Sequence, residues 1–300
     1  MLEPVGYSRR AKPMQLLPNT ASVAGRSGTA TARVGQIAFI NCLPVVVPLA
    51  RGHVPLAATV SYGSPAELNA LAGSGALDVS AMSSFFFLQH GGFDLLPGVS
   101  ISCSGPVGSV LFFSKVPLTA LAGARVAVPA SSATSVNLLR VLLLDELNVG
   151  IEACVEQEPS LEDPRYQGAL VIGDRALSVD VDWSQRYWRT DLGRWWLRRT
   201  GLPMVFGLWA ANSGWAAANP EQFTTLSASL VEAVRIGLST LLPDVVKEAH
   251  RRTGLDPTRL TSYFLEQLDY RLTVAHREGL QCFKQLCLRH QLLRPAGVTR

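Results

Sequence analysis

Ser131, Ser132, Thr134 and Ser135 place four hydroxyls within five positions, just ahead of the apolar residues Leu138, Leu139, Val141, Leu142 and Leu143. An ordinary helix cap needs one such hydroxyl, which contributes about 1 kcal/mol. The surplus suits a helix start that holds an anion, where unpaired backbone N–H groups and hydroxyls bind a carboxylate without lysine or arginine. Other polar residues stand where an apolar, strand-like run turns over: Asn41 after residues 34–40, Ser83 and Ser84 after 77–82, Gly108, Ser109 and Val110 where a run to 114 begins, and Asp174 after 169–172. Taken singly, Asn41 is a turn residue, Ser109 a small residue at a tight crossing, and Asp174 an acceptor for backbone N–H groups. His53, His90, His250, His276 and His290 lie outside these segments, His90 only marginally, so a histidine base is not indicated. There is no Gly-x-Ser-x-Gly, no phosphate-binding loop and no dinucleotide fingerprint.

The elements that would have to position these groups alternate. Strand runs are expected over 34–40, 77–82, 108–114, 125–128, 169–172 and 205–211. Ser64-Pro65-Ala66-Glu67 is a capping box with proline at the first helical position, and helices are also expected after Ser131–Ser135, over 191–200 and after Asn219-Pro220. Leu138, Leu139, Val141, Leu142 and Leu143 surround most of their helix, which predicts one sandwiched between layers. Phe223, Leu226, Leu230, Val234, Leu238 and Leu241 form a regular stripe, and Asp256-Pro257 opens a further helical region to about His290. Strands alternating with helices predict largely parallel sheets, whose ligands sit beyond the carboxyl ends of the strands. That rule lets residues far apart in sequence converge on one cleft.

Three hundred residues exceed the usual span of one core, so two lobes are expected. An apolar share of 48% with 17% charged residues describes a chain that buries much of itself. The formal charge of +4 owes much to Arg9, Arg10, Lys12, Arg26 and Arg300, which leaves the folded part near neutral. The one dense basic stretch, Arg186, Arg189, Arg194, Arg198 and Arg199, spaces Arg194 and Arg198 four apart beside Asp191, as on a solvated helix face. No nucleic-acid partner is indicated. Five scattered cysteines show no Cys-x-x-Cys and no metal-ligand spacing. Residues 1–32 read as a disordered extension without a signal peptide, and no apolar run reaches transmembrane length, so a cytoplasmic protein without membrane insertion is expected.

Ordered motifs from Arg33 to about Leu293 carry a resemblance. They are Arg33-Val34-Gly35 with Asn41-Cys42-Leu43-Pro44; Ser64-Pro65-Ala66-Glu67-Leu68-Asn69; Leu77-Asp78 with Ser83-Ser84; Gly105, Val107 and Ser109-Val110; Ser132-Ala133-Thr134-Ser135; Gly173-Asp174-Arg175-Ala176-Leu177; and Thr200-Gly201-Leu202-Pro203 leading to Trp209. In this order and spacing they resemble the menaquinone-biosynthesis family of the futalosine route, most closely its chorismate dehydratases. The family's later, dihydroxynaphthoate-forming branch carries Ser-Pro and Asp-Thr after its first strand and a catalytic histidine, where this chain has Asn41-Cys42-Leu43-Pro44. Phe39 and Phe87 stand where the family commonly has tyrosine.

The resemblance implies a type II periplasmic-binding-protein-like α/β fold with a central cleft and two crossing strands. The first lobe would comprise 33–114 and 206–300, and the second 115–205. It implies conversion of chorismate to 3-[(1-carboxyvinyl)oxy]benzoate and water, a lyase reaction that needs no cofactor or metal. Asn41 and Ser109 would be catalytic, and Ser83, Ser84, Gly108, Val110, Ser132, Thr134, Ser135 and Asp174 would bind substrate. A homodimer is left open. A solute receptor of the same architecture and a transcription factor's effector lobes are the competing classes; the first would need export or an anchor, the second a helix-turn-helix ahead of residue 33.

Overall fold

The computed structural model describes residues 31–293. Of the expected extension over 1–32, all but the last two residues lie outside the described residues, and Ala32 is already a buried part of the first strand. That strand, β1 (Ala32–Ile37), ends before a 3-10 turn over Ile40–Cys42, so Asn41 sits in a turn and not at a strand tip. Then follow α1 (Leu43–Ala50), β2 (Ala58–Gly63), α2 (Pro65–Gly73), β3 (Val79–Ser83), α3 (Ser84–Gln89) and the long β4 (Phe93–Cys103). The middle of the chain forms β5 (Val110–Ser114), β6 (Arg125–Pro129), α4 (Ala133–Leu147), β7 (Glu152–Glu156), β8 (Gly168–Ile172), α5 (Gly173–Arg186), β9 (Trp188–Asp191) and α6 (Leu192–Thr200). The chain returns through β10 (Met204–Asn212) to α7 (Ser213–Ala218), α8 (Pro220–Gly237), α9 (Leu242–Thr253), α10 (Pro257–Ser262), a π-type turn at Tyr263–Gln267 and α11 (Val274–Arg289).

Two five-stranded sheets result, ordered β2-β1-β3-β10-β4 and β7-β6-β8-β5-β9. The lobe change therefore falls between Cys103 and Val110. Residues 110–114, expected in the first lobe, pair with β8 and β9 in the second sheet. The sheets are not largely parallel. β1 runs parallel to β2 and β3, and β6 to β7 and β8, but β10 is antiparallel to β3 and β4, and β5 to β8 and β9. The strand that enters each sheet from the other lobe does so reversed, which an alternation of strands and helices does not reveal.

Local chemistry explains the ends of the elements. Ser64 Oγ accepts the Glu67 N–H at 3.3 Å while Glu67 Oε2 accepts the Ser64 N–H at 2.7 Å, closing the capping box on α2. In α4, Leu138, Leu139, Val141, Leu142 and Leu143 are all buried, as expected for a helix covered on both sides. The helical region expected from Asp256 to about His290 is broken: residues 268–273 run alongside β4, with Ser102 and Asp269 exchanging backbone hydrogen bonds at 2.8 Å. The basic stretch is paired with carboxylates, Arg189 with Asp180, Arg198 with Glu146 and Arg199 with Asp145, which fits a solvated face. No single helix among the described residues is long and apolar enough to cross a membrane.

The α8 stripe packs on α1 so closely that a Cβ on Gly237 would lie 2.0 Å from the Pro44 carbonyl oxygen. Gly237→Ala should therefore lower stability by about 1–3 kcal/mol despite alanine's better helix propensity, as read by urea unfolding. An unchanged midpoint would contradict the close approach.

Candidate functional site

The two sheets turn their loaded edges toward each other. Because β1 and β3 are parallel, the residues after both, Asn41 and Ser83–Ser84, leave the same edge of the first sheet. In the second sheet β6 and β8 are parallel, so Ser132–Ser135 and Gly173–Asp174 share an edge. Ser109 joins them, since β5 runs antiparallel to β8 with Val110 opposite Ile172. The edges touch at two places. Thr134 Oγ1 accepts the Phe85 N–H at 3.0 Å, and Asp174 Oδ1 accepts the Ile40 N–H at 3.2 Å. Asn41, Ser84, Ser109, Thr134, Ser135 and Asp174 thus line one interface between the lobes.

The hydrogen bonds separate groups already committed from groups still able to bind. Ser83 Oγ caps α3 by accepting the Phe86 N–H at 3.3 Å and receives the Asn69 side-chain amide at 3.1 Å, so it serves the helix start. Ser132 Oγ accepts the Ser135 N–H at 3.2 Å and donates to Ser135 Oγ at 2.9 Å, which leaves the Ser135 proton to be donated onward. Thr134 accepts from Phe85 and likewise keeps its own proton. Ser84 Oγ and Asn41 Oδ1 are buried without any partner, and Ser84 is 0% exposed. An unsatisfied buried polar atom costs about 1–3 kcal/mol, a penalty that a polar ligand removes. Gly108 and Val110 contribute backbone only: Gly108 has φ +66°, and a Cβ there would lie 2.1 Å from Gln267 Oε1, while Val110 is buried in β5.

Charge is distributed to suit an anion. The first turn of α4 carries no acidic residue, so the partial positive charge at its start is met only by hydroxyls. The start of α5 holds its own acid, Asp174. Burial lifts that carboxyl to about 6, against the opposing pull of the Ile40 N–H and of Arg252. Among the described residues, no group of three His, Cys, Asp or Glu side chains is placed to hold a metal ion.

Three further residues hold the site and were not singled out from sequence. Tyr263 donates its phenol proton to Ser109 Oγ at 2.9 Å, and Tyr270 donates to the Asn41 carbonyl at 2.8 Å. Asp191, read from sequence only as a helix flank, caps α6 through the Arg194 N–H at 3.0 Å and also receives the N–H groups of Val107 and Gly108, the latter at 2.8 Å. Nothing in the sequence pattern pointed to the two tyrosines, because the π-type turn at Tyr263–Gln267 and the break after it are seen only in the structure.

Comparison with known proteins adds the lineage. The family model described as "Menaquinone biosynthesis" matches residues 32–289. The chain belongs to the menaquinone biosynthesis family. A family relative from Thermus thermophilus, named chorismate dehydratase, is 37% identical over 242 residues, covering 75% of this chain and 85% of the relative. Among solved structures, a protein of Archaeoglobus fulgidus aligns with TM-score 0.68 at 18% identity, over 87% of this chain and 98% of that one. The periplasmic aliphatic sulphonate binding protein SsuA of Escherichia coli aligns with TM-score 0.61 at 13% identity, over 88% and 94% of the two chains. These two likenesses establish the fold: this menaquinone biosynthesis family member has the two-lobed periplasmic-binding-protein architecture expected from its sequence.

Because Asp191 satisfies adjacent backbone N–H groups in the crossing into β5 as well as that of Arg194 at the start of α6, Asp191→Ala should cost about 2–4 kcal/mol in urea unfolding. A loss below about 0.5 kcal/mol would show that the crossing does not depend on that carboxylate.

Proposed function

We propose that this chain is a chorismate dehydratase, a carbon–oxygen lyase converting chorismate to 3-[(1-carboxyvinyl)oxy]benzoate and water. The 37% identical Thermus thermophilus relative bearing that name supports the assignment. The observation that carries it in this molecule is the pair of buried, unpartnered polar atoms, Ser84 Oγ next to the contact with α4 and Asn41 Oδ1 next to the contact with α5, on the lobe interface. A dianionic ring that also carries a hydroxyl answers both needs. One carboxylate takes the free protons of Ser84, Thr134 and Ser135 at the start of α4, and Ser109, held by Tyr263, serves the other. Asn41 Oδ1 accepts from the ring hydroxyl that departs.

Aromatisation supplies the driving force, so the protein's task is to fix the ring, hold the charges and exclude water. No histidine lies in the segments that form the interface, and an ionised protein carboxylate beside a dianion would be repelled. The carboxylate of the substrate's own side chain therefore removes the ring proton. The two sheets with their helices act as the two lobes that enclose the substrate.

Purified protein mixed with chorismate should yield an aromatic product of matching mass, followed by absorbance; unchanged chorismate would end the proposal. Asn41→Ala should lower kcat about 100-fold with Kd moved less than about threefold, and an unchanged kcat would remove Asn41 from the mechanism. Ser109→Ala should weaken the complex about tenfold in a direct binding titration, and an unaltered Kd would count against its carboxylate role.

A further inference from the structure

The dehydration described above removes a ring hydroxyl, which leaves readily only when it is protonated, and the proposed base is already occupied with the ring C–H. Asp174 faces the turn that carries Asn41. Its Oδ1 accepts the N–H of Ile40, the residue before Asn41, at 3.2 Å from across the lobe interface. The residue as a whole keeps partial exposure there.

The other ionisable groups that face this carboxyl cannot supply it as well. Burial raises the Cys42 thiol and the Tyr263 phenol beyond their ordinary ranges, and Arg252 contributes charge without an available proton. The strands against which α5 packs, β5 and β8, carry no ionisable side chain. On β9, Arg189 is bound to Asp180 and Asp191 holds backbone N–H groups. Along α5 itself, Arg175 reaches away to lie 5.9 Å over the Trp183 ring.

Resting on the chorismate dehydratase reading, we propose that Asp174 is the catalytic acid, delivering its proton to the departing hydroxyl while Asn41 accepts that hydroxyl's hydrogen. The C–O bond breaks with its electron pair going to oxygen, which takes the Asp174 proton and leaves as water. The ring proton passes to the substrate carboxylate, and the C–H electron pair completes the aromatic ring. Asp174, left ionised, is reprotonated through solvent as the product carboxylate releases the proton it took, so two negative charges enter with chorismate and two leave with the product. Burial already lifts this carboxyl to about 6, and a bound dianion lifts it further, which keeps the proton in place where it is needed.

Asp174→Asn is the direct test, because asparagine still offers an oxygen to the Ile40 N–H and so spares the lobe contact. With the full chain, kcat on chorismate should fall about 100-fold or more, while Kd for 3-[(1-carboxyvinyl)oxy]benzoate moves less than about threefold. In the wild type, kcat should decline with rising pH above the Asp174 titration, and the residual rate of the variant should lose that decline. Asp174→Glu, which restores a carboxylic acid, should recover at least about a tenth of the rate. An active wild type whose Asp174→Asn variant keeps its kcat or the same alkaline decline overturns the assignment of the acid alone. A wild type that leaves chorismate untouched overturns the functional reading beneath it.

Discussion

Two backbone N–H groups of the first lobe reach across to side chains of the second: Phe85 to Thr134 Oγ1 at 3.0 Å and Ile40 to Asp174 Oδ1 at 3.2 Å. Each acceptor sits in the first turn of a helix, and each donor lies just after a strand of the opposite sheet. The contacts therefore set the lobes edge to edge, with the starts of α4 and α5 aimed into the space between them. Partial positive charge is thereby brought to one place. At α5 the first turn carries the Asp174 carboxyl, but at α4 the protein supplies hydroxyls and no acid. That start of α4 is where the proposed reading seats a substrate carboxylate.

In the proposed reading, the hydroxyls and backbone N–H groups at the start of α4 meet one carboxylate of the ligand without a charged side chain in that turn. Hydroxyls and N–H groups bind carboxylates with little cost in side-chain entropy, and their orientation is fixed by what they already bond to. Tyr263 imposes an acceptor role on Ser109, whose remaining contact, to the Val107 carbonyl at 3.4 Å, is long enough to yield to a better acceptor. Tyr270 fixes the Asn41 carbonyl and with it the turn that carries the amide. Asp191 does similar work for the crossing at Val107 and Gly108. A scaffold shared with sulphonate-binding proteins thus carries positioned groups without changing its topology.

Much of this was legible in the residues. The hydroxyl cluster at Ser132–Ser135, the capping box at Ser64 and the turn at Asn41 are local signals, and local chemistry forms them wherever they fall in the fold. The reversed entry of β5 and β10 was not legible, because an apolar run reads the same in either direction. That misplaced residues 110–114 by one lobe. The tyrosines were missed for a related reason: both act from far along the chain, Tyr263 on Ser109 from the π-type turn and Tyr270 on Asn41 from the break at 268–273 that runs along β4. Polar residues consumed by capping, such as Ser83, look identical in sequence to those left free, such as Ser84. The difference lies in hydrogen-bond accounting, which requires neighbours.

The most direct measurement is a crystal structure of the protein with 3-[(1-carboxyvinyl)oxy]benzoate bound. The account predicts a single molecule between the lobes, one carboxylate on Ser84, Thr134 and Ser135 at the start of α4, and the edge of the ring that lost its hydroxyl facing Asn41 and Asp174. A ligand seated elsewhere, or one that leaves Ser84 Oγ and Asn41 Oδ1 still without partners, would contradict it.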